Sequence, residues 1–300
     1  MSPKSRYDFM QVDAFTERPL AGNPGAILFE ADDLNDALML SIAHEMNLSE
    51  TAFITRSETC IFGVRFLTPA EEIPLAGHPT IATVHALTQS GQVSLEGEKT
   101  ELTLELVGGP IRVEIRTGQA NLLQIIMTQR KPVFRATYEP AEIIPVLGLE
   151  QRDALPGYPI QTVSTGTPQL MIPLRSHEAL RRARLDNPAY TRLRQSADFF
   201  SPHLFCLGGI TAKGNTFARH VGVPHDTAED PFTGSATGGM GAYLWRYGLI
   251  DRPTFVAEQG HWMGRPGQAG VEVIGDPTEI EAVKVGSTAV TILLGELVLI

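Results

Sequence analysis

Three places in this 300-residue chain have residues of the type and setting to move a proton: Glu50 in EMNLSETAF, His78 in EIPLAGHPT and the acidic pair Glu229 and Asp230 in EDPFTGSAT. A carboxylate held against substrate can take a proton from carbon and return it elsewhere, and an imidazole or a second carboxylate can tune it or bind polar substituents. Two of these places lie in one phrase that occurs twice. EIPLAGHPT (Glu72 to Thr80) and EDPFTGSAT (Glu229 to Thr237) align without a gap, matching Glu72 with Glu229, Pro74 with Pro231, Gly77 with Gly234 and Thr80 with Thr237. Within that alignment His78 falls on Ser235 and Asp230 on Ile73, so one copy brings a histidine and the other an acid.

The elements around the phrase explain why a carboxylate-bearing ligand would suit it. In each copy a strand ends, a proline stiffens the turn, a glycine frees the backbone, and a helix rich in small residues follows. Such a start presents unpaired N–H groups and the positive end of the helix dipole. The simpler reading makes Gly77 and Gly234 tight turns and His78 and Ser235 helix caps. For one copy that reading is the better one; the repetition reverses the preference. Glu50 follows an amphipathic helix expected over residues 34–46 and precedes a strand. A carboxylate there is ordinarily a solvated turn residue, but pointed toward the helix start it is the strong base candidate of its half.

Runs rich in Val, Ile, Phe and Thr predict strands over residues 8–15, 26–29, 52–55, 60–67, 101–107, 111–116 and 121–127, with a helix from Pro79 to about Leu87. The order then recurs: strands over 161–165 and 169–174, a helical region over 181–194, strands over 204–210 and 216–223, the second phrase, and a helix from Ala236 to about Tyr247. This repetition implies internal duplication and an α+β fold of two pseudo-symmetric lobes. The expected division is residues 1–127 for the N-terminal lobe, with 286–300 as a candidate to complete it, and 128–285 for the C-terminal lobe, joined near Thr128 to Tyr138. The tail AVTILLGELVLI reads as a final core strand. STGTP (Ser164 to Pro168) and EQGHWMGRPG (Glu258 to Gly267) are loops that either reach the reactive region or are ordinary turns.

Composition removes several function classes. With 43% apolar and 19% charged residues and a net charge of −10, the chain offers no basic surface for nucleic acid. No apolar run is long enough for a membrane span or follows a basic start as in a secretion signal, so a cytoplasmic protein is expected. Cys60 and Cys206 each sit in an apolar run, where a thiol behaves as a small hydrophobe. The eight histidines, His225 among them, form no i, i+4 pair and no HExxH helix, and no GxGxxG or P-loop follows a strand, so neither a metal nor a nucleotide cofactor is indicated.

VDAFTERPLAGNP, EMNLSETAF, FLTPAEEIPLAGHP, AEDPFTGSA and QGHWMGRPG together resemble, in order and over nearly the whole chain, the PhzF-like phenazine biosynthesis proteins. The resemblance implies a diaminopimelate epimerase-like fold, each lobe a mixed β-sheet wrapped around a central α-helix, with the active site between the lobes. It implies Glu50 as general acid/base, His78 and Asp230 as part of the catalytic group, and Gly77, Gly234 and Ser235 as contacts to the substrate carboxylate. The implied reaction is a cofactor-free isomerisation of trans-2,3-dihydro-3-hydroxyanthranilate or an analogue, in a homodimer. Alternatives are a one-base epimerase or isomerase of another small carboxylate, and a non-catalytic binder of small molecules or proteins. Racemases of the same fold carry a cysteine before each helix-start glycine, and here those places hold Ala76 and Thr233, which argues against two-base thiol chemistry. Phe232 and Trp262 are bulky groups that would reshape the pocket if they line it.

Overall fold

The computed structural model describes residues 4–118, 122–223 and 227–299; Asn121, His225 and Ile300 lie outside the described residues. The chain divides into two units, Met1–Thr128 with Gly286–Ile300, and Gln129–Val285. No helix is long and apolar enough to cross a membrane among the described residues.

The first unit contains β1 (Arg6–Ala14), β2 (Asn23–Leu28), α1 (Asp36–Met46), β3 (Glu50–Thr55), β4 (Phe62–Leu67), β5 (Glu72–Ile73), α2 (Gly77–Gln89), β6 (Lys99–Glu105), β7 (Ile111–Thr117) and β8 (Leu123–Gln129). The second contains β9 (Val133–Tyr138), α3 (Pro140–Ile143), β10 (Ile160–Ser164), β11 (Pro168–Pro173), α4 (His177–Arg182), α5 (Asn187–Arg194), β12 (Ser201–Leu207), β13 (Thr216–Val223), β14 (Thr227–Asp230), α6 (Gly234–Arg246), β15 (Thr254–Gln259), β16 (Gly267–Asp276) and most of β17 (Glu279–Ser287). The last strand, β18 (Ala289–Val298), returns to the first unit.

The strands of the two units repeat each other in order and sense. In the first unit β1 pairs antiparallel with β2, β2 parallel with β3, β3 antiparallel with β4, and β4 antiparallel with β5 and parallel with β6. In the second, β10 to β15 form the same series, antiparallel, parallel, antiparallel, then antiparallel to β14 and parallel to β15. Each series has a further antiparallel strand beyond its first member, β18 beside β1 and β9 beside β10.

Both phrase helices are central. Every residue of α2 from Gly77 to Leu87 is buried, as is α6 from Ala236 to Leu244. Enclosure on all sides stabilises a helix through tertiary packing rather than propensity, with each fully buried Ile81 or Leu87 contributing about 1.5–3 kcal/mol. This is why α6 persists with three internal glycines, each costing about 1 kcal/mol relative to alanine. At Gly238 a Cβ would lie 1.9 Å from Gln129 Oε1, and at Gly241 2.9 Å from Val271 Cγ1, so the missing side chains are what let neighbours close in.

Several expectations require correction. The helices begin earlier than expected, at Gly77 and Gly234, because glycine itself takes the first helical position after an extended Ala76 or Thr233. The region 181–194 is not one helix: α4 ends at Arg182, Asp186 caps the next helix by accepting from Ala189 N, and Pro188 opens α5. The tail forms a strand but not a core strand, since Leu293 is 52% and Leu294 72% exposed. The expected connection at 128–138 carries the strand β9.

Candidate active site

The first unit brings Glu50 and His78 together and adds a residue that the sequence did not single out. Asn35 caps α1 at its start, and Asn47, in the left-handed conformation at φ +50°, stops it, so the chain turns back and Glu50 opens β3. Parallel pairing of Gly25 with Glu50 places the start of β2 beside it. His78, on the first turn of α2, is 3% exposed; its Nε2 lies 3.0 Å from Glu50 Oε2, and its Nδ1 lies 3.0 Å from Asn23 Nδ2. The Glu50–His78 contact is close but not aligned as a hydrogen bond, as is common for reacting groups before substrate is bound. The Glu50 side chain is 18% exposed, buried enough to escape bulk water and open enough to be reached.

Neither helix start is capped by a side chain, and neither has an acidic residue in its first turn. The cap reading of His78 and Ser235 therefore fails: the cap positions are Ala76 and Thr233, whose carbonyls accept from Thr80 Oγ1 at 2.6 Å and Thr237 Oγ1 at 2.9 Å. The matched threonines of the repeated phrase do the same structural job twice.

In the second unit Asp230, 6% exposed, accepts a hydrogen bond from Thr233 Oγ1. Gln259 organises this turn, donating from Nε2 to the Asp230 carbonyl at 2.7 Å and accepting from Thr233 N at 3.3 Å. Thr165 reaches the α6 start: its hydroxyl donates to Gln129 Oε1 at 2.5 Å, and Gln129 Nε2 donates to the Gly234 carbonyl at 2.8 Å. STGTP is thus part of the α6 start, and the end of β15 braces the Asp230 turn. Phe232 is fully buried against Gly267, where a Cβ would lie 2.6 Å from its ring, and Trp262 stacks edge-on against Phe217 at 4.5 Å within the apolar cluster under α4 and α5.

The registers locate each residue's counterpart. Ala52 pairs with Phe66 and Phe66 with Ile73; His203 pairs with His220 and His220 with Asp230. Ala52 therefore corresponds to His203, and Glu50, two residues earlier, to Ser201. The glutamates shared by the phrases are structural: Arg65 Nε and Nη2 grip Glu72 at 2.6 Å each, and Arg219 Nε and Nη2 grip Glu229 at 2.8 and 2.6 Å. Glu229 is thereby committed to an ion pair, and Asp230 alone of the acidic pair remains for chemistry. Asn23 and Gln259 were missed. Their signal was a polar residue opening NPGAIL and another closing TFVAEQ, runs otherwise apolar or buried.

Among the described residues no cluster of three or more His, Cys, Asp or Glu could hold a metal ion. The model of the phenazine biosynthesis-like proteins, PhzC-PhzF, matches residues 12–295. The chain belongs to the phenazine biosynthesis-like protein family. Among its relatives in this family, a protein named uncharacterized isomerase YfhB from Bacillus subtilis is 32% identical over 270 residues, covering 89% of this chain and 90% of that one. Trans-2,3-dihydro-3-hydroxyanthranilate isomerase from Pseudomonas fluorescens is 31% identical over 296 residues, covering 98% of this chain and all of that one, 100%. The crystal structure of a PhzF-family phenazine biosynthesis protein from Bacillus anthracis superposes with a TM-score of 0.88 at 29% identity, covering 99% of this chain and 100% of that one. A hydroxyproline epimerase from Agrobacterium vitis shares the fold at a TM-score of 0.68 and 12% identity, covering 100% of this chain and 94% of that one. The PhzF-like chain is thus an isomerase with the epimerase-type architecture. Neither helix-start residue, Ala76 or Thr233, is a thiol; Cys60 lies in a loop and Cys206 is buried in the apolar cluster of the second unit.

Proposed function

We propose that this isomerase moves a proton between carbons of a small carboxylate substrate, trans-2,3-dihydro-3-hydroxyanthranilate or a close analogue, with Glu50 as the single general acid/base and no cofactor. The observation that carries the reading is the pairing of a partly buried carboxylate with a buried imidazole on the first turn of an uncapped helix. Glu50 takes the proton from one carbon, the electron pair of that C–H bond shifts through the adjoining double bond, and Glu50 returns the proton to the carbon at its far end. Atoms and charge balance with no external oxidant or reductant. His78 Nε2 faces one Glu50 oxygen at 3.0 Å, which leaves the other for the substrate. The helix-start residues Gly77, Gly234 and Ser235 bind the substrate carboxylate through backbone N–H groups and the helix dipoles, and Asp230, oriented by Thr233, binds a polar substituent.

The relative from Pseudomonas fluorescens supports the substrate class, and the exclusion of thiols from both helix starts supports a one-base route. Incubation with trans-2,3-dihydro-3-hydroxyanthranilate in D2O, without added cofactor, tests it. The expected product is the isomer with deuterium on one carbon. Binding of that compound or of a panel of small carboxylates with no isomerisation and no deuterium uptake would replace this reading with that of a binding protein.

A further inference from the structure

Asn23 occupies a place with no turn to make and no solvent to meet. Gly22, at φ +59°, bends the chain so tightly that a Cβ there would lie 2.0 Å from the Ala14 carbonyl oxygen, and Asn23 emerges from this bend fully buried, at 0% exposure. Its register is fixed on one side by pairing with Ala14, and two residues on by pairing of Gly25 with Glu50. The His78 ring passes over Gly25, where a methyl group would sit 3.9 Å from Cδ2, so no side chain intrudes between β2 and the imidazole.

Two groups of opposite chemical character therefore address the two ring nitrogens, Asn23 Nδ2 at Nδ1 and Glu50 Oε2 at Nε2, each at 3.0 Å. In the orientation the structure gives the Asn23 amide, its NH2 faces Nδ1 and can only donate, so Nδ1 presents its lone pair. A neutral imidazole carries a single N–H, so that proton sits on Nε2, on the side of the Glu50 carboxylate. A carboxamide does not titrate near neutrality and cannot itself supply or remove a charge.

We propose that Asn23 is a positioning residue that fixes His78 as the neutral, Nε2-protonated tautomer. The ring then turns its single N–H toward Glu50 Oε2, and Oε1 remains the oxygen that exchanges the substrate proton; this last clause rests on the proposed role of Glu50. In the second unit the register places Thr167 at the position of Asn23, and Ser201 and Ser235 at those of Glu50 and His78, so the device is built once.

The tautomer is read directly, without substrate, from long-range 1H–15N correlation spectra of the full-length labelled protein at neutral pH, with His78 assigned by the signals lost in His78→Gln. The expected pattern is a protonated nitrogen coupled to both ring carbon-bound protons, which identifies Nε2–H. A protonated nitrogen coupled to Hε1 alone, identifying Nδ1–H, would overturn the proposal. In Asn23→Asp a carboxylate replaces the amide donor, and the ring is expected to carry both protons at neutral pH; an unaltered neutral signature in a folded Asn23→Asp protein would contradict it equally. If that variant does not fold, the wild-type spectrum still decides. Loss of deuterium exchange with the expected tautomer intact would instead refute the catalytic reading of Glu50 and leave Asn23 in its place.

Discussion

A buried histidine that stays neutral stabilises a fold only while the unfolded chain is neutral too. Burial pushes His85 down to about 4 and His220 to about 3, and burial together with the neighbouring His220 holds His203 well below the usual 6.5. In the second unit His203 and His220 belong to a one-way chain: His203 Nδ1 lies 3.3 Å from His220 Nδ1, His220 Nε2 lies 2.8 Å from Ser201 Oγ, and that hydroxyl donates to Gln169 Oε1 at 2.8 Å. Such a chain is satisfied by neutral rings and broken by a second proton. Because the folded-state values lie below the unfolded ones, the unfolded chain binds more protons between about pH 6.5 and 4, and stability falls as pH drops through that window. Each histidine contributes about 1.4 kcal/mol per pH unit to the slope. Replacing His85, whose Nε2 meets Thr291 Oγ1 at 3.0 Å, with glutamine is expected to reduce the loss of stability between pH 7 and pH 5, measured by urea unfolding, by about 2 kcal/mol in total. An unchanged slope would mean that His85 titrates normally in the folded protein.

At the level of elements, the repeated phrase serves two purposes that sequence alone ran together. Its glutamates hold strands, and its helix starts present N–H groups. The two ion pairs differ in burial: Arg219 and Glu229 are 10% and 20% exposed, Arg65 and Glu72 27% and 29%. Arg219 also donates to the carbonyls of Leu180 and Ala183 at the end of α4, at 2.8 and 2.9 Å. Glu229→Gln, which strands a buried guanidinium, is expected to cost about 3 kcal/mol of unfolding free energy and Glu72→Gln about 1 kcal/mol. Equal losses would show that the second pair gains nothing from its burial. The helices and Glu50 were legible because a glycine-to-helix phrase and a helix-to-strand junction are local patterns. Asn23 was not, because its contact with His78 spans 55 residues and depends on the register of β2 against β3. The exposure of β18 was hidden for the same reason, since Leu293 and Leu294 read as core until the fold leaves their side chains uncovered.

At the scale of the whole molecule, one topology is written twice and given unlike chemistry. Strand order and sense agree from β1 to β6 and from β10 to β15, and each sheet encloses one phrase helix. Duplication was readable from the phrase, since matching helix starts followed matching strands. The division of labour was not, because it depends on which residues the registers set opposite each other: Glu50, His78 and Asn23 in the first unit, and a serine at the place of Glu50 in the second. A glutamate opening β3 in the first unit and a serine at the matching place in the second make the central claim a one-base reaction. Deuterium uptake from D2O into trans-2,3-dihydro-3-hydroxyanthranilate, compared between wild type and Glu50→Gln with binding of the compound followed by calorimetry, tests it most directly. The account requires exchange to fall by about a thousandfold while binding persists; an unaltered exchange rate in Glu50→Gln would contradict it.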